Sequence, residues 1–502
     1  MAAGPPRGST AALSPTRYNA PLILAIATTE PVYEMRVGGI TDPGVPGKQN
    51  QDDFFVWDFG DGQNLLLGVL DGHGRELGAM AANVAKRSML RTLLSNFSRL
   101  RTDPEEVMRS AFAQAHADIR TEFQRFYQRA GWHVEEEHGY LIRRRPDATS
   151  SSCIPGGTTA TVMAVLDGRH VVVAHVGDST ALICGAGAAV QTHDMSSWAP
   201  LKSSTTIEGG RVTSQAAGAS APSPSTVADG APSTRLRHPV TGPRGELSID
   251  ISVSELNTAM AATASELSDD HSPESAAEFR RIRASHPDPA NPLKPHLRFV
   301  YDALAPSKSD CKDIFAANRV QGEEVLTVSR PGTYFKNVRN EWATLICTPP
   351  TATYSDALAF TRSLGDFHLH AYGVSSEPEV RWFDMLNMQD HLGAPITCEG
   401  PLVLSLCSDG VWDNWRFEDV AGFLLHPGRV KFALTHETAQ ACCVDLMQAT
   451  LERARVNFGT SADNMTAVMA YAVPNKEALR TATRESQTGT YNASVGTGVA
   501  LK

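Results

Sequence analysis

Five apolar segments of the chain, each predicted as a β-strand, carry an aspartate at one end. "LLLGVLDG" ends in Asp71-Gly72, "LVLSLCSDG" ends in Asp409-Gly410, and "VVVAHVGDS" carries Asp178 after its apolar run. "SADNMTAVMAYAV" and "KQNQDDFFV" instead place Asp463 and Asp52 at the head of the segment. One Asp-Gly pair is ordinary turn chemistry, but rigid strand ends can bring several carboxylates to one place. The sequence therefore predicts sheets whose strand ends share an acidic site.

Carboxylates that converge repel one another and lose hydration, which is costly unless cations lie between them. Ligands that are all oxygen, with no His/Cys cluster, suit Mg²⁺ or Mn²⁺ rather than Zn²⁺. Two such cations roughly 3.5–4 Å apart promote attack of water on a phosphate ester. Gly72 lets the backbone approach closely, so its carbonyl can be a ligand. His73 is placed to protonate the departing oxygen.

Composition limits the class of protein. The 502 residues are 42% hydrophobic and 20% charged, which is typical of a soluble globular protein. The net charge of −10 argues against a nucleic-acid partner. The longest apolar stretch near the start, "APLILAIA", is far shorter than a membrane span, so no membrane partner is expected. The eight cysteines include no C-x-x-C pair, which favours reduced thiols and a cytoplasmic or nuclear location.

Composition along the chain predicts one interrupted domain. We expect a flexible leader at 1–30, a globular domain at 31–474, a low-complexity insertion at 213–296 that is rich in Ser, Thr, Ala and Pro, and a flexible tail at 475–502. Apolar residues at helical spacing predict helices over 76–97, 104–130 and about 438–457. Strands are predicted at "DDFFVWDF", "LLLGVLD", "TTATVMAVL", "HVVVAHVGDSTALIC" and "NMTAVMAYAV".

Several motifs occur in the order found in one enzyme family. They are "NQDDFFV", "GVLDGHG", "GGTTATVMAV", "VVVAHVGDSTALI", "IEGGRV", "FTRSLGDF", "SSEPEV", "LCSDGVWD" and "SADNMTAV". Together, over roughly residues 35–475, they resemble the metal-dependent protein serine/threonine phosphatases, the PPM or type 2C family. The resemblance implies an α+β fold, in which a sandwich of two antiparallel β-sheets is flanked by helices as four αββα layers.

The resemblance also implies roles for single residues. Asp71 would bridge two cations, the Gly72 carbonyl would bind one of them, and Asp409 and Asp463 would hold the other. Asp52 would join directly or through water. Asp178 resembles the ligand of a weaker third metal found in many members. Asn464, Asp413 and Asp366 would support the site without binding metal, with Asp366 holding the cleft wall.

The chain departs from the family pattern at two places. Members usually carry an arginine before the N-Q-D element to grip the substrate phosphate, but here Lys48 is the only base in "TDPGVPGKQNQD". Lysine acts as a point charge and cannot make the bidentate contact of arginine. The D-H element that usually follows the G-D-S strand is interpreted as "QTHDMSSW", in reversed order.

Three hypotheses of function follow. The leading one is a monomeric phosphatase that hydrolyses phosphoserine and phosphothreonine in phosphoproteins with metal-activated water and no phosphoenzyme. The second is a weakly active or inactive relative that keeps the fold as a scaffold for partners. The third is a two-metal phosphoesterase acting on a small molecule. Cys407 lacks a phosphate-cradling loop and is interpreted as a core residue rather than a nucleophile.

Overall fold

The computed structural model describes residues 31–186, 262–303, 308–388, 396–432 and 435–488, and the backbone alone of 236–241 and 246–251. Two compact units are present, one formed by residues 1–188 with 262–502 and the other by 189–261. In the second unit, two strands form an antiparallel hairpin. The predicted leader at 1–30 lies outside the described residues.

The strands are β1 (Tyr33–Asp42), β2 (Asp53–Asp58), β3 (Leu65–Leu70), β4 (Gly72–His73), β5 (His133–Glu137), β6 (Tyr140–Arg144), β7 (Ser151–Cys153), β8 (Gly157–Thr158), β9 (Ala160–Leu166), β10 (His170–Val176), β11 (Thr180–Ala186), β12 (Leu236–Thr241), β13 (Glu246–Ile251), β14 (Ala262–Glu266), β15 (Pro287–Asp288), β16 (Asn291–Pro295), β17 (Arg298–Tyr301), β18 (Phe315–Val320), β19 (Glu323–Val328), β20 (Thr344–Cys347), β21 (Ala357–Leu358), β22 (Leu364–Gly365), β23 (Glu379–Asp384), β24 (Leu402–Cys407) and β25 (Met465–Pro474).

The helices are α1 (Gly78–Ser95), α2 (Pro104–Arg129), α3 (Ala276–Ser285), α4 (Phe367–His370), α5 (Asp409–Trp412), α6 (Phe417–Leu424), α7 (Pro427–Phe432), α8 (His436–Asn457) and α9 (Lys476–Thr488), with short 3₁₀ turns at Phe97–Arg101, Lys308–Asp310 and Gly459–Ser461. No described helix combines the length and apolarity needed to cross a lipid bilayer.

Two five-stranded antiparallel sheets form the centre of the molecule. One sheet has the strand order β1-β25-β24-β11-β14, and the other has the order β2-β3-β9-β10-β23. In the second sheet β3 pairs with β2 through Asp53↔Leu70 and with β9 through Leu65↔Val165. Both sheets are antiparallel throughout, as predicted for the α+β class.

Alternation along the strands builds the layers. In β3, Leu65, Leu67 and Val69 pack between the two sheets, whereas Leu66 and Leu70 face helices α1 and α2. Side chains of a strand point alternately to opposite faces, and a strand buried on both faces is therefore apolar at every position. The other sheet does the same against α6 and α8. This is the predicted αββα arrangement.

The C-terminal part of the predicted insertion differs from the expectation. Of residues 213–296, those from 262 onward belong to the folded unit: β14 pairs with β11, from Leu182↔Glu266 to Ala186↔Ala262. Helix α3 follows, and its Phe279 and Ile282 pack in a smaller core with Phe299. The Ser/Ala/Pro-rich composition concealed three strands, β14, β15 and β16, and the helix α3, because these residues gain their order from tertiary contacts.

The predicted flexible tail is also partly helical, since α9 occupies Lys476–Thr488. Its Leu479 and Ala482 join the core between the sheets, and Leu479 N donates to Asn475 O at the start of the helix. A further expectation is confirmed in the core: Cys407 is fully buried, and all eight cysteines are free thiols.

A buried charge cluster ties α3 to the rest of the unit. Glu278, only 5% exposed, accepts from Arg362 Nη2 at 2.6 Å, Arg281 Nη2 at 2.7 Å and Thr361 Oγ1 at 2.7 Å. Burial alone would raise the pKa of Glu278, but the hydrogen bonds and charges of Arg362 and Arg281 lower it to about 2. The carboxylate is therefore ionised at all ordinary pH values.

We predict that Glu278→Gln lowers the free energy of unfolding by about 3 kcal/mol, because it leaves buried arginine charge without its partner. Urea unfolding at pH 7 measures the change. The folded pKa of about 2 lies below the ordinary 4.5, so the contribution is complete above about pH 4.5 and is lost as pH falls toward 2. The variant should lack this part of the acid dependence.

Glu122→Gln is the matched control, because Glu122 pairs with Arg125 at an exposed helix surface and its loss should cost under about 1 kcal/mol. Equal stability of Glu278→Gln and the wild type would contradict the assignment of α3 to the folded unit.

Candidate active site

Asp52 immediately precedes β2 and points into the end of the sandwich. Its Oδ2 accepts hydrogen bonds from Ser408 Oγ and Thr466 Oγ1, both at 2.8 Å. These two hydroxyls come from the ends of β24 and β25, so Asp52 joins the two sheets. Its Oδ1 is buried and receives no hydrogen bond from any part of the chain that the structure describes.

Asp71 directly follows β3, and its backbone is fixed by Thr159: Asp71 N donates to Thr159 Oγ1 at 3.1 Å, and Thr159 N donates to Asp71 O at 2.9 Å. The charges of Asp52 and Asp409 both act on its carboxyl. The structure thus places three carboxyls from three strand ends in one region, and their roles as metal ligands stay a prediction.

Asp409 approaches from the other sheet, and Asp178 approaches from the connection between the two sheets. Asp409 begins α5 after β24, and Asp178 lies in the turn between β10 and β11. The Oδ1 atoms of both are buried and have no hydrogen-bond partner among the described residues. Asp178 is only 5% exposed, so the lone pairs of these oxygens are directed into protein rather than solvent.

Asp463 is the exposed member of the set, with 61% of its side chain accessible. Lys48, the predicted phosphate-binding residue, pairs with it through Nζ and Oδ1 at 2.5 Å, and Lys48 Nζ also donates to Ala462 O at 3.2 Å. In this conformation Lys48 is thus held by a predicted metal ligand at the cleft entrance.

Asn464 holds the segment that carries Lys48 and Asp52. Its Oδ1 accepts from Gln51 N at 2.9 Å, and its Nδ2 donates to Pro43 O and Gln49 O. Gly410 packs closely against Asn464 from the opposite side, since a Cβ at Gly410 would lie 2.0 Å from Asn464 O. The sequence predicted that Asn464 would support the site, and these contacts hold the segment next to Asp52.

Burial and the nearby carboxylate charges raise the pKa values of these carboxyls. Burial, with the nearby Asp409 charge, raises the pKa of Asp52 to about 7, and burial with the same charge raises that of Asp178 to about 7. Burial, then the charges of Asp52 and Asp409, raises the pKa of Asp71 well above its ordinary value. The cluster is therefore short of positive charge.

Gly72 is required for packing. A Cβ at this position would lie 2.4 Å from Gly78 O and 2.5 Å from Gln51 O, so any side chain would push α1 and the Asp52 segment apart. The sequence predicted that this glycine lets its carbonyl approach a metal. In the structure, the close contact of three backbone segments also requires a residue without a side chain.

His73 is held by Asp366 across a small three-stranded sheet. Strand β8 pairs with β4 on one side and with β22 on the other, so His73 and Gly365 both oppose Gly157. His73 Nε2 then lies 2.7 Å from Asp366 Oδ2, which also accepts from Ser363 Oγ at 2.7 Å. The sequence predicted that Asp366 would hold the cleft wall. In the structure its carboxylate contacts His73, the predicted general acid, directly.

The same small sheet fixes both partners. A Cβ at Gly157 would lie 2.4 Å from Asp366 Oδ2, and Asp366 has a left-handed backbone with φ of 44°. Burial opposes protonation of His73, but the Asp366 carboxylate outweighs it and raises the pKa of His73. Burial would raise the pKa of Asp366, but the charge of His73 lowers it to about 2. The two form an ion pair.

Sequence reasoning missed Lys336. Its Nζ lies 4.0 Å from Asp178 Oδ2 and 3.7 Å from Glu341 Oε2. The turn that carries it is tied to Asp413, whose Oδ1 accepts from Asn337 Nδ2 at 3.1 Å. The supporting role of Asp413 stays a prediction, and "TYFKNVRNEW" contains no motif that marks a site residue.

A D-H pair in forward order follows β14, separate from the predicted D-H element. "QTHDMSSW" and "IEGGRV" lie outside the described residues, whereas Asp270 and His271 occur in forward order after β14, within "LSDDHSP". Thr180 Oγ1 donates to Asp270 Oδ1 at 2.8 Å, and Gly177 N donates to His271 Nδ1 at 3.2 Å. The D-H pair therefore supports the turn that carries Asp178.

A second titratable group lies behind this turn. Among the described residues, one group has three potential ligand atoms within 4.8 Å of one another, and it consists of His175, His271 and Glu379. The carboxylate oxygens of the site aspartates are more widely spaced than this. The two imidazoles stack at 4.4 Å with 14° between their planes. Imidazole lone pairs lie in the ring plane, so those of nearly parallel rings do not converge on one ion. We interpret this group as packing behind the Asp178 turn.

The aspartates fit divalent cations better. Their oxygens are hard ligands of the kind that Mg²⁺ and Mn²⁺ prefer, and buried carboxylate oxygens of Asp52, Asp178 and Asp409 lack donors within the described chain. An ionised carboxylate without a partner is strongly disfavoured inside a protein. Cations between these groups would remove that cost, and the residues therefore fit a metal centre.

We predict that Asp71→Asn raises the melting temperature in the presence of a chelator, because it removes one negative charge from a crowded, desolvated set. The same variant should lose most of the rise in melting temperature that Mn²⁺ gives the wild type. Differential scanning calorimetry with EDTA and with Mn²⁺ measures both effects.

Asp53→Asn is the matched control, since Asp53 is next to Asp52 but pairs with Lys86 at 2.7 Å outside the cluster. It should keep the stabilisation by Mn²⁺. An equal Mn²⁺ response in Asp71→Asn and wild type would contradict the metal centre.

Comparison with known proteins points to one family. Residues 45–205 match the family model described as Protein phosphatase 2C. The span contains Lys48, Asp52, Asp71, Gly72, His73 and Asp178.

Solved structures similar to this chain include a serine-threonine phosphatase 2C from Toxoplasma gondii, with 14% identity and a TM-score of 0.42 over 88% of this chain and 98% of that one. A sex determining protein of C. elegans has 14% identity and a TM-score of 0.40, over 89% of this chain and 67% of that one. A serine/threonine phosphatase of S. agalactiae has 15% identity and a TM-score of 0.33, over 87% and 99%.

Proposed function

We propose that this chain, whose residues 45–205 match the Protein phosphatase 2C family model, hydrolyses phosphoserine and phosphothreonine in protein substrates, with two divalent cations, Mg²⁺ or Mn²⁺. The observation that carries the proposal is the meeting of Asp52, Asp71 and Asp409 at one cleft, with buried oxygens of Asp52 and Asp409 left without donors. Neither packing nor hydrogen bonding accounts for these oxygens.

The carboxylates would divide between two cations. Asp71 would contact both, Asp409 and Asp463 would hold one of them, and Asp52 with the Gly72 carbonyl would complete the set. When bound, the cations would supply neutralisation of phosphate charge and a lowered pKa of water. The chain itself contributes fixed ligand positions, because each aspartate lies at a strand end and Asp52 is additionally held by two hydroxyls.

His73 would act as the general acid. The Asp366 carboxylate keeps it protonated and orients it through Nε2, which leaves Nδ1 to donate to the departing serine or threonine oxygen. Nδ1 is buried and has no partner in the described part of the chain, so no protein group competes with the departing oxygen for this donor. A proton is needed at this step because an alkoxide is a poor leaving group.

The phosphatase assay tests this function directly. The full chain with Mn²⁺ should release phosphate from a phosphothreonine peptide, EDTA should abolish release, and Asp71→Asn should lower kcat/KM on the order of 10³-fold, because the ligand shared by both cations is lost. Asp53→Asn should remain near wild-type activity, since its side chain points to Lys86 rather than the cleft.

The alternative hypotheses predict different results. Tight binding of phosphopeptide without turnover under any metal would indicate a scaffold and contradict the proposal. A strong preference for sugar or nucleotide phosphates over phosphopeptides would instead indicate a small-molecule phosphoesterase. The assay therefore includes both substrate classes at equal concentration.

A second prediction concerns His73. His73→Gln should lower kcat for phosphothreonine peptide on the order of 10²-fold, but it should have little effect on an aryl phosphate, whose leaving group departs without a proton. Asp366→Asn should show the same substrate dependence more weakly, since it disturbs the orientation and charge of the acid without removing it. Rates on both substrates under saturating Mn²⁺ measure the contrast.

Ser363→Ala is the control for Asp366, because it removes one hydrogen bond to the same oxygen but keeps the ion pair. It should retain most activity. If His73→Gln slowed both substrates equally, the residue would have a structural role instead.

A further inference from the structure

We propose that the ammonium of Lys336 serves as the cation at Asp178, so that this chain binds two divalent ions and has no third metal site there. The inference rests on the proposed function, because it concerns the charge balance of the same centre. It assigns to a side chain a role that the family resemblance would give to a metal.

The geometry places Lys336 among acids from several elements. Nζ lies 4.0 Å from Asp178 Oδ2 and 3.7 Å from Glu341 Oε2. Its charge also acts on Asp270 beside β14 and on Asp409 and Asp413 at the two ends of α5. The ammonium thus lies within 4.0 Å of two carboxylates.

The turn that carries Lys336 is rigidly held. Lys336 N donates to Glu341 O at 2.7 Å, and Asn337 Oδ1 accepts from Arg339 N at 3.1 Å. Across the cleft wall, Val338 N donates to Asp413 O at 3.2 Å. A lysine on a mobile loop could leave the site when a metal arrives. Here the backbone on both sides of the residue is fixed.

The same turn is fastened to the end of α5 by Arg339. Its Nη1 donates to Trp412 O, and its guanidinium lies 4.7 Å from the centre of the Phe417 ring. Because α5 begins with Asp409, the turn and the metal ligand move as one body. The Lys336 ammonium is therefore positioned by the element that carries a predicted ligand.

Two cations at Asp178 would repel each other. Lys336 Nζ lies 4.0 Å from Asp178 Oδ2. A divalent ion bound at Asp178 would therefore approach the ammonium within a few ångströms, and repulsion between them would weaken its binding.

Counting bound metal tests the inference without using activity. The full chain is titrated with Mn²⁺ at pH 7.5, and free Mn²⁺ is measured by electron paramagnetic resonance. We expect two ions bound by the wild type, three by Lys336→Met, and two by Lys336→Arg, which keeps the charge. The double variant Lys336→Met with Asp178→Asn should return to two, because the ligand of the added ion is removed.

Lys312→Met is the matched control, because Lys312 is an exposed lysine of the same segment whose Nζ donates to Pro331 O, and it should bind two ions. Three ions in the wild type would overturn the inference while leaving the phosphatase intact. An unchanged count of two in Lys336→Met would also overturn it. If that variant showed a higher KM for phosphopeptide with the count unchanged, Lys336 would be a substrate contact instead.

A wild type that binds no Mn²⁺ would contradict the proposed function itself, and this inference with it. Circular dichroism and the melting temperature in EDTA are recorded for every variant, so that a Lys336→Met chain that fails to fold is recognised. Asp178→Asn alone offers a second route: it should bind two ions, like the wild type, whereas loss of one ion would show that Asp178 holds a metal despite Lys336.

Discussion

Desolvated like charges dominate the end of the sandwich, and the surrounding architecture is organised around them. Asp52, Asp71 and Asp409 lie at ends of three different strands, where burial and mutual repulsion raise their pKa values. A cluster of this kind opposes folding unless positive charge is supplied. The rigid sheets make it possible, because each carboxyl is fixed by a strand with apolar residues on both faces and cannot turn away into solvent.

The sequence predicts much of this arrangement. The continuous apolar run of β3 and the helical stripes of α1 and α2 are local patterns, so these elements could be predicted from them. The aspartates could be found for the same reason, since each adjoins a recognisable apolar strand. Supporting roles were also predicted for Asn464 and Asp413; the structure shows that Asn464 accepts from Gln51 N and that Asp413 accepts from Asn337 Nδ2.

What the sequence did not predict depends on contacts between distant segments. Lys336 lies in a turn with no apolar pattern, and only its hydrogen bonds to α5 bring it to Asp178. The contact of Asp366 with His73 depends on three strands of two residues each, which are too short to leave a periodic signal. Helix α3 follows a Ser/Pro-rich stretch, and its order comes from the pairing of Glu278 with Arg362.

The pairing of β11 with β14 has a consequence for how this chain can vary. These strands are neighbours in the sheet, yet residues 187–261 separate them in sequence. Closing a flexible connection costs entropy that grows only with the logarithm of its length, roughly 0.6 kcal/mol for each doubling. Segments can therefore be gained, lost or exchanged at this edge of the sheet during evolution at small thermodynamic cost. The positions of the aspartates at the strand ends, such as Asp178 beside β11, would stay the same.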